Sequence, residues 1–323
     1  ASMKKWLVTG GAGYIGSHVV RDLIAAGAEV TVFDDLSTGN ASYIPDGVPL
    51  IKANLNDTAK LTEALAGVYG VVHLAAYKVA SESFKHSFET YESNVQGTFN
   101  LIKSMKQAKI TNLVFSSSAA VYGNLSQLPA TEESPCSPES PYASSKYIGE
   151  LMIRDLVLAA DKDFPLQSIA FRYFNVVGTG YPGLTDASPY SLFSIVLDKF
   201  AKNQKPAIAG DDYSTSDGTP IRDYIHVSDI SKAHVLAAQF MEREKAGFQI
   251  LNLSTSVGIS VKEVMNEFKK QLGETFTYEI GSRRPGDLVA SYGDASKAKK
   301  VLGWQAQEDL ASMVSSVLPA NRK

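Results

Sequence analysis

Of the fifteen tyrosines in this 323-residue chain, only Tyr142 has a lysine four positions on, in Ser140-Pro141-Tyr142-Ala143-Ser144-Ser145-Lys146. On a helix those two positions share a face. Pro141 after serines suits a helix start, because proline is tolerated in the first turn and serine caps it. A free phenol titrates at about pH 10. A neighbouring positive charge favours its phenolate and brings it within reach of neutral pH. Such a tyrosine can take a proton from an alcohol. The same spacing also arises on any amphipathic helix with a solvated lysine, so the pair acquires meaning only from the elements around it.

The first of these is at the N-terminus. Trp6-Leu7-Val8-Thr9 has strand character and runs into Gly10-Gly11-Ala12-Gly13-Tyr14-Ile15-Gly16. Ser17 to Ala26 then reads as a helix with apolar Val19, Val20, Leu23 and Ile24, stopped by Gly27. Glu29 to Phe33 reads as a second strand ending in Asp34. Glycines 10, 13 and 16 fit a G-x-x-G-x-x-G dinucleotide loop, where missing Cβ atoms permit a tight turn and let helix N-terminal amides approach a pyrophosphate. Asp34 follows Gly16 by eighteen residues, where an acid bonds the adenosine ribose diol and repels a 2′-phosphate. The expected cofactor is therefore NAD, not NADP.

Further along, strand-like runs alternate with helical patterns. They are Gly70–Ala76, a helix over Ser93–Gln107, Asn112–Ser118, the Tyr142 helix to about Ala160, and Leu166–Arg172. That rhythm predicts an α/β fold, a doubly wound (Rossmann) parallel sheet with a smaller C-terminal α/β substrate lobe. The expected division is 3–178 for NAD binding and 179–323 mainly for substrate, with some segments returning to the sheet. After Gly178 the rhythm breaks into a loop to Pro189, a helix over Leu192–Phe200, a loop over Asp211–Pro220, and Gly281-Ser282-Arg283-Arg284-Pro285-Gly286-Asp287. Ligands in open parallel sheets bind past the carboxyl ends of the strands, so the irregular half is placed to hold substrate.

Composition fits an enzyme with a large core, at 44% hydrophobic residues. A formal charge of −3 gives no electrostatic reason to expect nucleic acid or an anionic membrane as partner. Cys136 is the only cysteine, so neither an internal disulfide nor a cysteine zinc site is expected, and no other metal is. The absence of a long apolar run or signal pattern makes the cytoplasm the expected location. Ala1-Ser2 before Met3 reads as the remnant of an expression tag. His73, on a buried strand, reads as a satisfied core histidine.

The glycine loop, Ser116-Ser117-Ser118 at a strand end and Tyr142/Lys146 together resemble the extended short-chain dehydrogenase/reductase superfamily. Within it the chain resembles the UDP-glucose 4-epimerase family over essentially its whole length. Asp34-Asp35-Leu36-Ser37-Thr38-Gly39, the run from His73 to Ser83, Ser116 to Gly123, and Arg172-Tyr173-Phe174-Asn175 carry that resemblance. So do Asp211 to Thr219, Arg222-Asp223-Tyr224-Ile225-His226-Val227 and Arg283 to Asp287. It implies redox-neutral chemistry on a UDP-sugar. Tyr142 removes the 4-hydroxyl proton while C4 gives hydride to the nicotinamide, the 4-keto sugar turns, and the hydride returns to its other face. Lys146 holds the tyrosine ionised and Ser118 bonds the same hydroxyl. The resemblance also implies cofactor contacts from Gly10, Gly13, Tyr14, Ile15, Gly16, Asp34, Asp35, Leu36, Ser37, Thr38, Gly39, Asn54 and Leu55, and from Leu74, Ala75, Ala76, Lys78, Ser93, Ser116 and Phe174. It implies substrate contacts from Lys78, Asn175, Ser191, Leu192, Ala207 and Ala209, with Arg222 and Arg284 as diphosphate forks and Asp287 on the uridine ribose. Relatives commonly dimerise through two helices, so a homodimer is expected.

Local departures refine this. Dehydratases and decarboxylases of the superfamily carry acids soon after the strand-end serine, whereas this chain has Ala119 and Ala120, so elimination lacks its proton carrier. Asn54 for an aspartate, Ser93 for an asparagine, Tyr190-Ser191, Ala209 and Val176 also differ from the family's usual residues. Ser291 stands where a bulky tyrosine restricts the family to plain hexoses, so UDP-N-acetylglucosamine and UDP-N-acetylgalactosamine are expected to enter too. Tyr292 is its neighbour. A UDP-pentose or UDP-uronate 4-epimerase, or a nicotinamide-sensing regulator on the same fold, are the alternatives.

Overall fold

A computed structural model describes residues 2–319, so Ala1 of the expected tag remnant lies outside it. The first half comprises β1 (Lys5–Thr9), α1 (Tyr14–Ala25), β2 (Glu29–Asp34), β3 (Leu50–Lys52), α2 (Thr58–Ala64) and β4 (Gly70–His73). It continues with α3 (Ser87–Tyr91), a π turn (Glu92–Gln96), α4 (Gly97–Ala108), β5 (Asn112–Ser118), α5 (Pro141–Leu158) and β6 (Gln167–Tyr173). The second half begins with β7 (Asn175–Val177), α6 (Leu192–Ala201), β8 (Ala207–Ala209), β9 (Ile221–Arg222), β10 (Tyr224–His226) and α7 (Val227–Arg243). It ends with β11 (Phe248–Leu253), β12 (Ile259–Ser260), α8 (Val261–Leu272), β13 (Glu279–Gly281), α9 (Ser296–Leu302) and α10 (Leu310–Val317).

Seven strands form one parallel sheet in the order β11-β6-β5-β4-β1-β2-β3. Strand order reverses between β1 and β4, which opens the crevice where such folds bind dinucleotides. Period-two alternation builds a core on each face. Trp6 and Val8 pack with Val20, Leu23, Ile230, Met241 and Trp304 under α1, α7 and α9. Leu7, between them in β1, packs instead with Leu61, Leu101, Met105, Phe115 and Ile153 under α2, α4 and α5. Each such side chain, wholly buried, contributes about 1.5–3 kcal/mol. The late strand β11 completes this sheet, while Phe193, Val196, Ile208, Met265, Phe268, Phe276 and Met313 form a separate core among the C-terminal elements.

Several boundaries differ from expectation: α1 begins at Tyr14, ahead of Ser17, and β6 runs to Tyr173, past Arg172. β4 ends at His73, not Ala76: Leu74 still donates to the Thr9 carbonyl at 3.0 Å, and the Thr9 hydroxyl accepts from the Leu74 and Ala75 N–H groups at 3.1 and 3.2 Å. The helix expected over 93–107 is a longer bent element, α3, π turn and α4 in succession. A single wide turn leaves no periodic trace in sequence.

Candidate active site

Ser140 caps α5, accepting from the Ala143 N–H at 3.1 Å, and Pro141 occupies the first turn. Behind it, Arg172 grips Glu150 through two bonds of 2.6 and 3.0 Å, nearly inaccessible to water, and Ser117 bonds the same carboxylate. This ties α5 to β5 and β6, so Tyr142 and Lys146 face the end of β5. The Lys146 ammonium donates to the Ser116 carbonyl at 2.8 Å and stands 6.0 Å from the Tyr142 ring centre. Burial pushes the Tyr142 phenol upward, and the facing Ser118 hydroxyl offsets this in part. Lys146 is pushed down to about 7 by burial and then by the Lys78 charge. Burial thus presses the phenol and the ammonium each toward its neutral form.

The cofactor cradle lies at the switch point. Gly10 takes φ +71 and a Cβ there would stand 2.7 Å from the Ala75 nitrogen, which brings β1 against the start of the 74–78 loop. Gly16 is required by packing, since its Cβ would come within 2.1 Å of the Gly10 carbonyl oxygen. Gly13 is the N-cap of α1 with no side-chain cap, leaving helix N-terminal amides open to an anion. A Cβ on Gly13 would lie 3.1 Å from the Lys78 ammonium, so that cation overhangs the same spot. The dense surroundings press the Lys78 charge downward, while Asp34 and Asp186 support it. Asp34 accepts from the N–H groups of Ala12 and Leu36, at 3.0 and 2.8 Å, which fixes its carboxylate at the end of β2. The residues present fit NAD: open amides and a cation for a pyrophosphate, and an oriented acid for a ribose diol. Asp35 begins the exposed turn that carries Ser37, Thr38 and Gly39, and Gly39 lies against Asp34.

On the substrate side, Arg222 is half-buried and donates to the Ile221 carbonyl. Its surroundings include Tyr224, Asp287, Arg284 and Tyr213, so the two arginines and the acid expected to hold a diphosphate and ribose do converge. Arg284 meets Asp287 at 3.0 Å. Asn175 is exposed at the start of β7, and Ala207 and Ala209 stand on β8. The Ser191 hydroxyl is spent on Ser194 at 2.7 Å, just ahead of Leu192. Ala119 and Ala120 lie in a short 3-10 turn capped by Ser118, whose oxygen accepts the Ala120 N–H at 3.1 Å.

A model of the NAD dependent epimerase/dehydratase family matches residues 6–253. The chain belongs to that family. It is 37% identical to the UDP-glucose 4-epimerase of Lactobacillus helveticus over 311 residues, which is 94% of this chain and 93% of the relative. A UDP-glucose 4-epimerase structure from Stenotrophomonas maltophila, with bound NAD and formylated UDP-arabinopyranose, superposes with TM-score 0.91 at 35% identity, covering 97% of this chain and 96% of that one. The UDP-Glc/GlcNAc 4-epimerase from Campylobacter jejuni gives TM-score 0.84 at 34% identity, with 97% of both chains covered.

Within this NAD-dependent epimerase/dehydratase frame, some expected contacts look elsewhere. The Phe174 ring joins a small core with Val121, Tyr122 and Ala130 and packs on Gly293, so its side chain is not turned to the cradle. Asn54 is exposed and accepts the Asn56 N–H at 2.8 Å, and Leu55 packs on Gly97. Ser93 sits in the π turn, but its buried neighbour Asn94 makes the bonds. Asn94 accepts from the Tyr77 N–H at 2.8 Å and donates to the Tyr77 carbonyl and Ser145 hydroxyl, at 3.1 and 2.9 Å. Ser145 in turn donates to the Tyr142 carbonyl at 2.7 Å. Asn94 thus couples the Lys78 loop to α5. In sequence it stands as the second asparagine of the family's Asn-Asn-Val, with Ser93 replacing the first. Burial pushes the Tyr173 phenol upward; it bonds His234 Nε2 at 2.5 Å and faces the Ser116 side chain. His73 is satisfied by Thr9 and Thr98, at 2.6 and 3.0 Å, and burial pushes it down to about 3, so it is neutral. Tyr292 packs its ring on Gly258, and Ser291 alternates with it along an extended segment whose N–H bonds the Ile221 carbonyl at 3.0 Å. Among the described residues no acidic, histidine or cysteine cluster could hold a metal, and no helix is long and apolar enough to cross a membrane.

Proposed function

We propose that this protein interconverts UDP-glucose and UDP-galactose, and the N-acetylated pair as well, by NAD-dependent epimerisation at C4. One observation carries the reading. Tyr142, Ser118 and Lys146 meet at the end of β5 beside Lys78, the cation that overhangs the glycine cradle, while Arg222, Arg284 and Asp287 form a second, charged cluster. Arg222 and Arg284 fork the diphosphate and Asp287 takes the uridine ribose, so the nucleotide is gripped and the sugar is left free to turn. Tyr142 removes the proton from the 4-hydroxyl and later returns it. Ser118 holds that hydroxyl in line with the phenol. Lys146, fixed by the Ser116 carbonyl, places its charge beside the developing phenolate. NAD, held by the glycine loop and Asp34, would supply the acceptance of hydride from C4 and its return. Ala119 and Ala120 offer no carboxylate, so the 4-keto sugar is not driven into elimination.

The proposal includes the division at 178/179 and a cytoplasmic location. It also includes a homodimer. Phe88 and Phe99 are 88% and 50% exposed on the α3–α4 element, and Leu156 and Leu158 are exposed on α5 beside it. Two such faces can close into a helical bundle. Turnover of a UDP-sugar panel tests the chemistry: UDP-galactose consumed without net NADH is expected, and inertness toward every UDP-hexose would refute it. Sedimentation tests the dimer, with a monomer at micromolar concentration as the contrary result.

A further inference from the structure

We propose that Arg283 is a positioning residue that clips the loop carrying Arg284 and Asp287 onto the loop preceding Arg222, holding both cations toward one diphosphate. The inference rests on the reading of that site given above. β8 and β13 run side by side and parallel, so the chain leaves them at the same end as two irregular loops. The first is well anchored. Asp217 accepts from the Thr219 N–H and hydroxyl at 2.9 and 2.7 Å, and the Thr219 hydroxyl oxygen accepts the Lys262 N–H of α8 at 3.1 Å. Tyr213 in that loop is 6% exposed and donates its N–H to the Gly218 carbonyl at 2.8 Å.

Arg283 fastens the second loop to this fixed point. Its Nε donates to Asp212 Oδ1 at 2.7 Å, its Nη2 to the Asp212 carbonyl at 2.6 Å, and its Cζ lies 4.0 Å from the Tyr213 ring centre. Gly210 leaves room for the stem, since a Cβ there would stand 2.6 Å from Arg283 Cγ. The Arg283 and Asp212 side chains are 48% and 75% exposed, so the pair contributes little to global stability. What a stacked planar fork fixes is direction, and a lysine, a point charge on a flexible stem, cannot reproduce it. The adjacent Arg284 is directed by that fixing, and its charge and that of Asp287 both act on Arg222.

The test uses the holoenzyme, with UDP affinity by calorimetry and steady-state turnover of UDP-galactose. Arg283→Ala and Arg283→Lys should each raise the Kd for UDP and the KM about tenfold. Their kcat should stay within about twofold of the parent, with melting temperature and bound NAD unchanged. Asp212→Ala should reproduce the effect, and the double variant Arg283→Ala/Asp212→Ala should be no worse than either alone. Arg284→Ala serves as the reference. If it leaves UDP affinity unchanged, the diphosphate reading is wrong; if it weakens UDP and Arg283→Ala does not, the positioning role is wrong. A fall in melting temperature and NAD content together with kcat in Arg283→Ala would mark a general structural role and also overturn the proposal.

Discussion

The Lys146 ammonium lies 2.8 Å from the Ser116 carbonyl and points past the Tyr142 ring, with Lys78 as a second cation acting on it. Its pKa is pushed down to about 7, far below that of a free lysine at about 10.4. Between those values the unfolded chain binds a proton that the folded chain does not, so stability gained from this group rises with pH. In cofactor-stripped protein, Lys146→Met should melt above the parent at pH 7, and the gap should narrow as pH approaches 10. A gap independent of pH would refute the assignment.

Glu150 and Arg172 are nearly inaccessible, with side chains 2% and 3% exposed. Glu150→Ala leaves the guanidinium uncompensated and should cost about 3–5 kcal/mol in urea unfolding. The loss should exceed that of Arg154→Ala, whose ion pair with Asp155 is exposed and contributes at most about 1 kcal/mol.

Gly16 has no space for a side chain against the Gly10 carbonyl. Gly16→Ala should push the loop out of register and lower the NAD retained after purification. The nucleotide content of the purified variant checks this, and full occupancy would contradict the cradle.

Ser291 and Tyr292 alternate along one extended segment, and the Tyr292 ring is committed to Gly258. Ser291→Tyr should therefore abolish turnover of UDP-N-acetylgalactosamine while UDP-galactose is still converted. Equal loss of both, or of neither, would refute Ser291 as the wall near the sugar 2-position.

The alternation of strands and helices was legible because parallel strands are buried on both faces and read as continuous apolar runs, such as Trp6-Leu7-Val8 in β1. Ser140, Pro141, Tyr142 and Lys146 announced their helix locally, since capping and i, i+4 spacing need no tertiary partner. Two kinds of feature were not legible. The π turn that sends Asn94 inward changes one hydrogen-bond register without changing the hydrophobic pattern. The directions of the Tyr142 and Lys146 shifts depend on how much water the fold removes and, for Lys146, on Lys78, sixty-eight residues away in sequence. Spacing placed the phenol and the ammonium on one face, but burial shifts both toward their neutral forms.

The central claim is that the Tyr142 phenol moves the 4-hydroxyl proton. Its most direct test is conversion of UDP-galactose to UDP-glucose by the parent and by Tyr142→Phe, with UDP affinity and bound NAD measured alongside. Loss of the one oxygen should lower kcat about 10²–10⁴-fold while both ligands stay bound. Turnover within a few-fold of the parent would contradict the account.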